Sequence, residues 1–409
     1  MSGRAALSRP LQRILLLFIA IVTASVAVAM GERPGQAPPL REPLPGAEAL
    51  LIKSLFEISG KRLDSALAEI DSLLAANPNF RLAHLIKGDL LLARSRPISK
   101  LGDATDAPQE RIDDLRDEAR ARLARYQHER PTGRIPKYLL QMAPEQKYAL
   151  VVDTTRSTLY VFENRNGSPR YLADYYVSSG KNGVDKLKAG DKKTPLGVYH
   201  VVNSLPKSKL SDFYGTGAYP ISYPNEWDRR LGRNGHGIWL HGTPSDTYSR
   251  PPRASDGCVV LSNEDLEAIG RTLQIGVTPV IIADGIDWVD AGRAQSVRQL
   301  LNARIEQWRH DWQSLNTPVY LRHYSANFSS AGQDLAQWSK QKTEVNAGKS
   351  WIKVDVSKLS MFLYPGNDRL AVVTFEQDYS SSNLSNRMKK RQYWGLENGD
   401  WKIIYEGPA

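Results

Sequence analysis

Three successive folded units are what this 409-residue chain predicts: a helical region, a mostly-β domain of sandwich or barrel type, and a cone-like α+β domain. Three observations carry that multidomain expectation. The length suits two or three domains rather than one. Apolar residues recur at helical spacing up to about residue 130, and from Tyr148 they switch to the shorter period of strands. Beyond residue 294 a helical stretch gives way to a series of strand-like runs, the order expected of an α+β unit. Apolar residues make up 41% and charged residues 24%, so wholesale disorder is excluded.

The N-terminus speaks about compartment. Arg4, Arg9 and Arg13 precede an apolar run from Ile14 to Ala29 that ends in Ala27-Val28-Ala29. Residues 1–29 therefore read as a signal peptide, with an uncleaved N-terminal anchor as the alternative. The run is shorter than a comfortable bilayer span. Either reading places the remainder in the periplasm or cell envelope, with membrane contact only through that anchor. Residues 30–46, with Pro34, Pro38, Pro39, Pro43 and Pro45, read as an extended linker.

The helical region spans 47–130. Leu50, Leu51, Leu55 and Ile58 mark a first helix that Gly60 can stop. Leu63, Ala66, Leu67, Ile70, Leu73 and Leu74 mark a second, ended by Asn77-Pro78, and a third starts near Phe80. With Ala66, Asn77-Pro78 and Gly88, this stretch resembles a tetratricopeptide unit. Arg111 to Arg130 is charged throughout and reads as a solvated spacer helix with opposite-sign pairs.

The mostly-β domain spans 145–285. Tyr148–Asp153, Thr158–Phe162, Tyr171–Ser178, Thr194–Val202, Gly237–His241 and Thr278–Ile282 read as strands, and Asn166-Gly167 as a hairpin turn. A helix fits Asn263 to Leu273, with Ser262 or Asn263 as its N-cap. The α+β unit spans 294–409. Its helical part runs from Ala294 to Tyr324, and its strands are Trp351–Val356, Leu359–Tyr364, Leu370–Tyr379, Lys389–Glu397 and Trp401–Glu406, with Asn398-Gly399 as the last turn.

A net charge of +10 favours anionic partners, but no Lys/Arg block carries interleaved aromatics, which argues against nucleic acid. The seven histidines lack metal-ligand spacing, so no metal is expected. Cys258 is the lone cysteine, either buried and inert or kept for chemistry. Its surroundings point to chemistry. A catalytic thiol needs a base, backbone donors for an oxyanion and a rigid mount. His241 ends a strand and is followed by Gly242; Ser255-Asp256-Gly257-Cys258 arrives 17 positions after His241. Gly257 lets the backbone turn and approach a carbonyl closely. The amides of Gly257 and Cys258 are candidate oxyanion donors, and Val259, Val260 and Leu261 anchor the segment.

Ile238-Trp-Leu-His-Gly242 followed by Ser255-Asp-Gly-Cys-Val259 resembles the signature of the YkuD-type L,D-transpeptidases. Lys193-Thr-Pro-Leu-Gly-Val-Tyr199 and Tyr176-Val-Ser-Ser-Gly180 resemble that family's upstream strands, so the resemblance covers roughly 145–285. It implies attack by the Cys258 thiolate on a meso-diaminopimelate carbonyl in a peptidoglycan stem peptide, with His241 accepting the proton. A terminal D-residue leaves, and an acceptor amine or water resolves the acyl-enzyme, with no cofactor. Such chemistry belongs to cell-wall biogenesis and cell shape.

Two departures stand out. The family usually has His where Asp256 stands and a basic residue where Val260 stands. Asp256 is expected to turn from the sulfur toward Arg250, Arg253 or His236, since an anion at the thiol would raise its pKa. Candidate positioning groups are Gly257, Ser255, Asp256 and Gly242. Candidate substrate contacts are His236, Arg253, Arg233 and Trp239, with Arg229 and Arg230 nearby. The segment from Leu205 to Asn234, with its tyrosines and Trp227, is a candidate lid. Three outcomes stay open: cross-linking, hydrolysis as an L,D-carboxypeptidase or amidase, and a non-catalytic wall-binding scaffold.

The C-terminal unit, with Trp308, Tyr320-Leu-x-x-Tyr324, Phe328 and Gly399-Asp-Trp401, resembles the SnoaL-like, nuclear-transport-factor-like cone. The resemblance implies a binding or assembly module. A protein partner is expected through this unit or the N-terminal helices.

Overall fold

The computed structural model describes residues 46–103, 107–128, 131 and 133–409. The apolar run at Ile14–Ala29, and the linker but for Gly46, lie outside the described residues.

Four helices come first: α1 (Ala47–Ser59), α2 (Leu63–Ala76), α3 (Arg81–Leu92) and α4 (Gln109–Gln127). Leu51 and Ile58 of α1, Ala66, Ile70 and Leu73 of α2, and Leu82 and Ile86 of α3 close on one core. Helix α4 departs from the solvated-spacer expectation. It buries Ile112, Ala119 and Leu123, and with them the charged Glu118 and Arg122. Arg122 donates to Glu118 at 3.0 Å and pairs with Glu48 on α1. Charge pairing replaces apolar periodicity in this helix, which is why its packing face is hard to read from sequence.

The β domain is a sandwich. Its elements are β1 (Arg134–Pro136), β2 (Leu139–Gln141), β3 (Tyr148–Asp153), β4 (Thr158–Arg165), β5 (Ser168–Tyr176), β6 (Ser179–Gly180), β7 (Gly197–His200), β8 (Leu205–Pro206) and β9 (Gly217–Pro220). They continue with α5 (Glu226–Arg230), β10 (Trp239–His241), β11 (Arg253–Ser255), β12 (Val259–Val260), α6 (Asn263–Gly270), β13 (Pro279–Ala283) and β14 (Trp288–Asp290). One sheet has the order β5-β4-β3-β13-β7, and the other β12-β10-β9-β8. Leu150, Val152, Val161 and Ile282 of the first pack against Ile221, Ile238, Leu240 and Val259. The opposite face of the first sheet, Ala149, Val151, Phe162 and Ile281, belongs to the core of the C-terminal unit. A sheet covered on both sides needs apolar residues at every position. Hence Ala149-Leu-Val-Val152 is continuous rather than alternating.

The C-terminal unit comprises α7 (Ala291–Gln313), α8 (Thr317–Leu321), β15 (Ser329–Ser330), β16 (Gln333–Asp334), α9 (Leu335–Ala347), β17 (Ile352–Tyr364), β18 (Asn367–Ser381), β19 (Ser385–Glu397) and β20 (Asp400–Pro408). The two runs expected at 351–356 and 359–364 are one strand, bent by a register shift at Lys358, whose φ is 50°. Asn398 and Gly399 have φ of 50° and 83°, the left-handed pair that closes a tight hairpin. Trp308, Trp312, Tyr320, Phe375 and Trp394 belong to the core that packs against the sheet. β2 precedes the two sheets of the sandwich in the chain and pairs with β17 of the C-terminal unit. Arg391 Nη1 donates to both carboxylate oxygens of Glu226 on α5, at 2.9 and 3.0 Å, so the two units are welded by charge as well as by a shared core.

Candidate active site

Strand β10 lies between β9 and β12 and is parallel to β12, with Leu240 level with Val259 and His241 level with Val260. Leu240 and Val259 point into the sandwich core. Side chains alternate along strands, so Trp239, His241 and Cys258 share the other face. Cys258 stands one strand across and two residues back from His241. One strand spacing and two rises set their Cα atoms roughly 8 Å apart, within the combined reach of a thiol and an imidazole.

His241 is buried, and its Nδ1 lies 2.7 Å from the Gly242 carbonyl. A carbonyl only accepts, so Nδ1 carries the proton and Nε2 keeps its lone pair. Burial pulls the imidazole pKa down to about 4, against the pull of the Gly242 carbonyl in the other direction. The ring is therefore neutral at physiological pH and ready to take a proton. Tyr214 packs edge-on against it at 5.1 Å and Phe213 lies at 5.8 Å, both from the tight turn at Asp212–Tyr214. Gly242 has no room for a side chain, since a Cβ would sit 2.1 Å from Asn263 Oδ1.

The Cys258 sulfur is partly exposed and donates to the Gly237 carbonyl at 3.5 Å. Burial pushes its thiol pKa up; the Trp239 N–H and the charges of Arg250 and Lys186 oppose that shift, and Asp256 adds to it. At neutral pH Cys258 is therefore a thiol and the His241 ring a neutral imidazole.

The mount is rigid. Gly257 has φ of 123°, and a Cβ there would lie 2.6 Å from the Lys193 carbonyl oxygen. Only glycine fits both conditions. Ser255 Oγ accepts from the Gly257 N–H at 3.1 Å and donates to the Cys258 carbonyl at 2.6 Å. Thr194 Oγ1 donates to the Gly257 carbonyl at 3.0 Å. This ties up the Gly257 amide, so it is corrected as an oxyanion donor; the Cys258 amide is the one left for that task.

The remaining candidates divide. Asp256 is exposed and its ion-pair partner is Lys192 at 3.6 Å, not Arg250, Arg253 or His236. Lys192 stands 64 positions before Asp256, a distance that concealed the pair in the sequence. Arg233 is held by Asp228 at 3.1 Å and Asp185 at 2.7 Å, which removes it from substrate binding. Arg230 bonds Ser329 and the Asn327 carbonyl of the C-terminal unit. Trp227 stacks on Tyr393 at 5.7 Å and serves that interface rather than a lid. Trp239 lies against Tyr214, ring centroids 4.8 Å apart and planes tilted by 38°. His236 and Arg253 are exposed.

Sequence reasoning missed Phe213 and Thr194, whereas Tyr214 was among the tyrosines of the candidate lid segment. Thr194 belongs to the quoted Lys193–Tyr199 motif, and its placement there was the available signal. It also missed the fastening of loop 243–252 to the helical unit. The Tyr248 N–H donates to the Asn79 carbonyl at 3.3 Å, the Tyr248 ring lies 4.4 Å from Phe80, and Ser249 donates to Glu118 at 2.6 Å.

Residues 147–282 match the family model of the YkuD L,D-transpeptidase catalytic domain, and residues 300–407 match the Cds6 C-terminal NTF2-like domain. No curated protein matches the chain. Among solved structures, Bd1075 of Bdellovibrio bacteriovorus is 28% identical, with a TM-score of 0.60, over 68% of this chain and 98% of that one. The helical cell shape determining protein Pgp2 of Campylobacter jejuni is 24% identical, with a TM-score of 0.57, over 66% of this chain and 95% of that one.

Proposed function

We propose that this chain, whose residues 147–282 are a YkuD-type L,D-transpeptidase catalytic domain, forms or remodels peptidoglycan cross-links through an acyl-enzyme on Cys258. The observation that carries the reading is the placement of Cys258 immediately before β12, the strand that runs parallel to the one His241 ends, with the His241 tautomer fixed by the Gly242 carbonyl.

The reaction runs in two halves. Sγ attacks the carbonyl carbon at the L-centre of a diaminopimelate residue while its proton passes to His241 Nε2. The oxyanion forms beside the Cys258 amide. As the tetrahedral species collapses, the C–N bond to the terminal D-residue breaks and Nε2 returns the proton to the leaving amine. A thioester remains. An acceptor amine then attacks it, gives its proton to Nε2, and the thiol is restored by the same proton. No redox partner or metal enters the balance.

Hydrolysis is the second reading, and the fastened loop favours it. Asn79, Phe80 and Glu118 pin loop 243–252, so that wall of the cleft is not free to open for a second bulky peptide. Water then resolves the thioester, as in an L,D-carboxypeptidase. Mass analysis of muropeptides after incubation separates these readings. Dimers that vanish in Cys258→Ala support cross-linking, shortened monomers support hydrolysis, and unchanged substrate leaves only a wall-binding scaffold. Stem peptides lie outside the cytoplasm, so export through the N-terminal apolar run is part of the proposal, tested by cell fractionation. The likeness to a cell-shape protein makes cell morphology of a deletion strain the matching physiological assay.

A further inference from the structure

Arg250 is a cation held beside the reacting pair with no carboxylate of its own. It lies in the loop between the catalytic strand and the cysteine segment. Its carbonyl accepts from the Tyr176 hydroxyl at 2.9 Å, and Tyr176 is itself buried. Its guanidinium sits 4.7 Å above the Phe213 ring, whose centroid lies 5.8 Å from that of His241. One aromatic ring thus separates the charge from the general base. The same charge acts on both the Cys258 sulfur and the His241 ring.

Three neighbouring cations are paired with carboxylates. Lys186 is paired with Asp191 at 2.7 Å, Arg233 with Asp185 and Asp228, and Lys192 with Asp256. Among the described residues, Arg250 forms no ion pair. Burial pushes its pKa down, and the attraction of the Cys258 sulfur and the Asp256 carboxylate opposes that shift without reversing it, so the guanidinium is a charge partly stripped of water. Val260, two positions after the cysteine, is apolar and buried, so it offers nothing ionic to a substrate.

We infer that Arg250 is a specificity-determining residue that binds a carboxylate of the donor peptide next to the scissile carbonyl, resting on the proposed acyl-transfer function. A planar guanidinium matches a carboxylate with two parallel bonds, which a lysine cannot reproduce. Two carboxylates flank the scissile bond of such a donor: the one on the diaminopimelate side chain and the one on the leaving D-residue.

The test is calorimetric binding to the full chain carrying Cys258→Ala, with and without Arg250→Gln. Three probes are used: a stem tetrapeptide, its diaminopimelate side-chain amide and its C-terminal amide. Arg250→Gln should weaken binding of the unmodified peptide about 10- to 100-fold, the loss of a charge-assisted hydrogen bond. One of the two amides should bind both proteins equally, and it names the carboxylate. Arg250→Lys should fall in between, and unchanged thermal midpoints establish that the fold is intact. Equal binding by both proteins, an equal loss on all three peptides, or no binding at all overturns the assignment. The experiment needs no turnover. A wild-type enzyme that binds this way and yet makes no Cys258-dependent product would sink the proposed function while leaving the carboxylate site standing.

Discussion

Replacing Arg122 by Met should loosen the helical unit by an amount that depends on pH in a defined direction. Arg122 is buried, donates to Glu118 at 3.0 Å, pairs with Glu48, and sits 3.9 Å over the Tyr176 ring. Methionine fills much of the volume and removes the charge. Glu118 is buried too and keeps only the Ser249 hydroxyl at 2.6 Å. Removing one partner of a buried pair costs about 3–5 kcal/mol. The electrostatic part has a ceiling, because the stranded carboxyl can take a proton instead. From its ordinary pKa of 4.5 up to pH 7, that ceiling is about 3.4 kcal/mol, and at pH 5.5 it is about 1.4 kcal/mol. The sign follows from linkage. The variant's folded carboxyl binds protons more tightly than the unfolded one, so stability returns as pH falls toward 4.5. Hydrogen exchange of residues 109–127 reads the local opening free energy at both pH values. About 3 kcal/mol lost at pH 7, shrinking by about half or more at pH 5.5, is expected. Arg122→Met with Glu118→Gln should recover most of it. A loss below about 1 kcal/mol, or one indifferent to pH, would refute the buried-charge argument.

Three further outcomes follow from the site. Gly257→Ala forces a Cβ against the Lys193 carbonyl at a φ of 123° and should slow acylation about 100-fold with the thiol still titratable; normal turnover would contradict the strained mount. Because burial raises the Cys258 pKa, its alkylation by iodoacetamide should climb about tenfold per pH unit up to pH 9, whereas a plateau near neutrality would show a resting thiolate–imidazolium pair. Burial lowers His241 from 6.5 to about 4, so stability present above pH 6.5 is lost as pH falls toward 4, by roughly 3 kcal/mol; His241→Gln should flatten that part of the unfolding curve, and an unchanged curve would place the ring in water.

Cys258 and His241 were legible as a candidate pair because their signals are local. A strand ending in His241-Gly242 and a Ser255-x-Gly257-Cys258 turn each lie within a few residues, and parallel pairing of β10 with β12 brings them together. Helices α1 to α3 were legible from apolar spacing for the same reason. What escaped was held by partners distant in sequence. Arg122 reaches Glu48 across 74 positions, and Ser249 reaches Glu118 across 131, so nothing near either residue announces the contact. Helix α9 was missed because only Asn346 among its residues is buried, leaving no apolar stripe to read. β2 escaped because three residues are too few to show a period. Arg233 looked available for substrate because Asp185 stands 48 positions before it.

The central claim is that Cys258 becomes acylated with His241 as its base. Intact-protein mass spectrometry of the full chain, quenched during incubation with a stem tetrapeptide, tests it most directly. The account predicts an adduct equal to the donor minus its terminal D-residue, located on Cys258, absent in Cys258→Ala and slowed at least 100-fold in His241→Gln. Product formation without any adduct, or an adduct that forms as fast without His241, would contradict it.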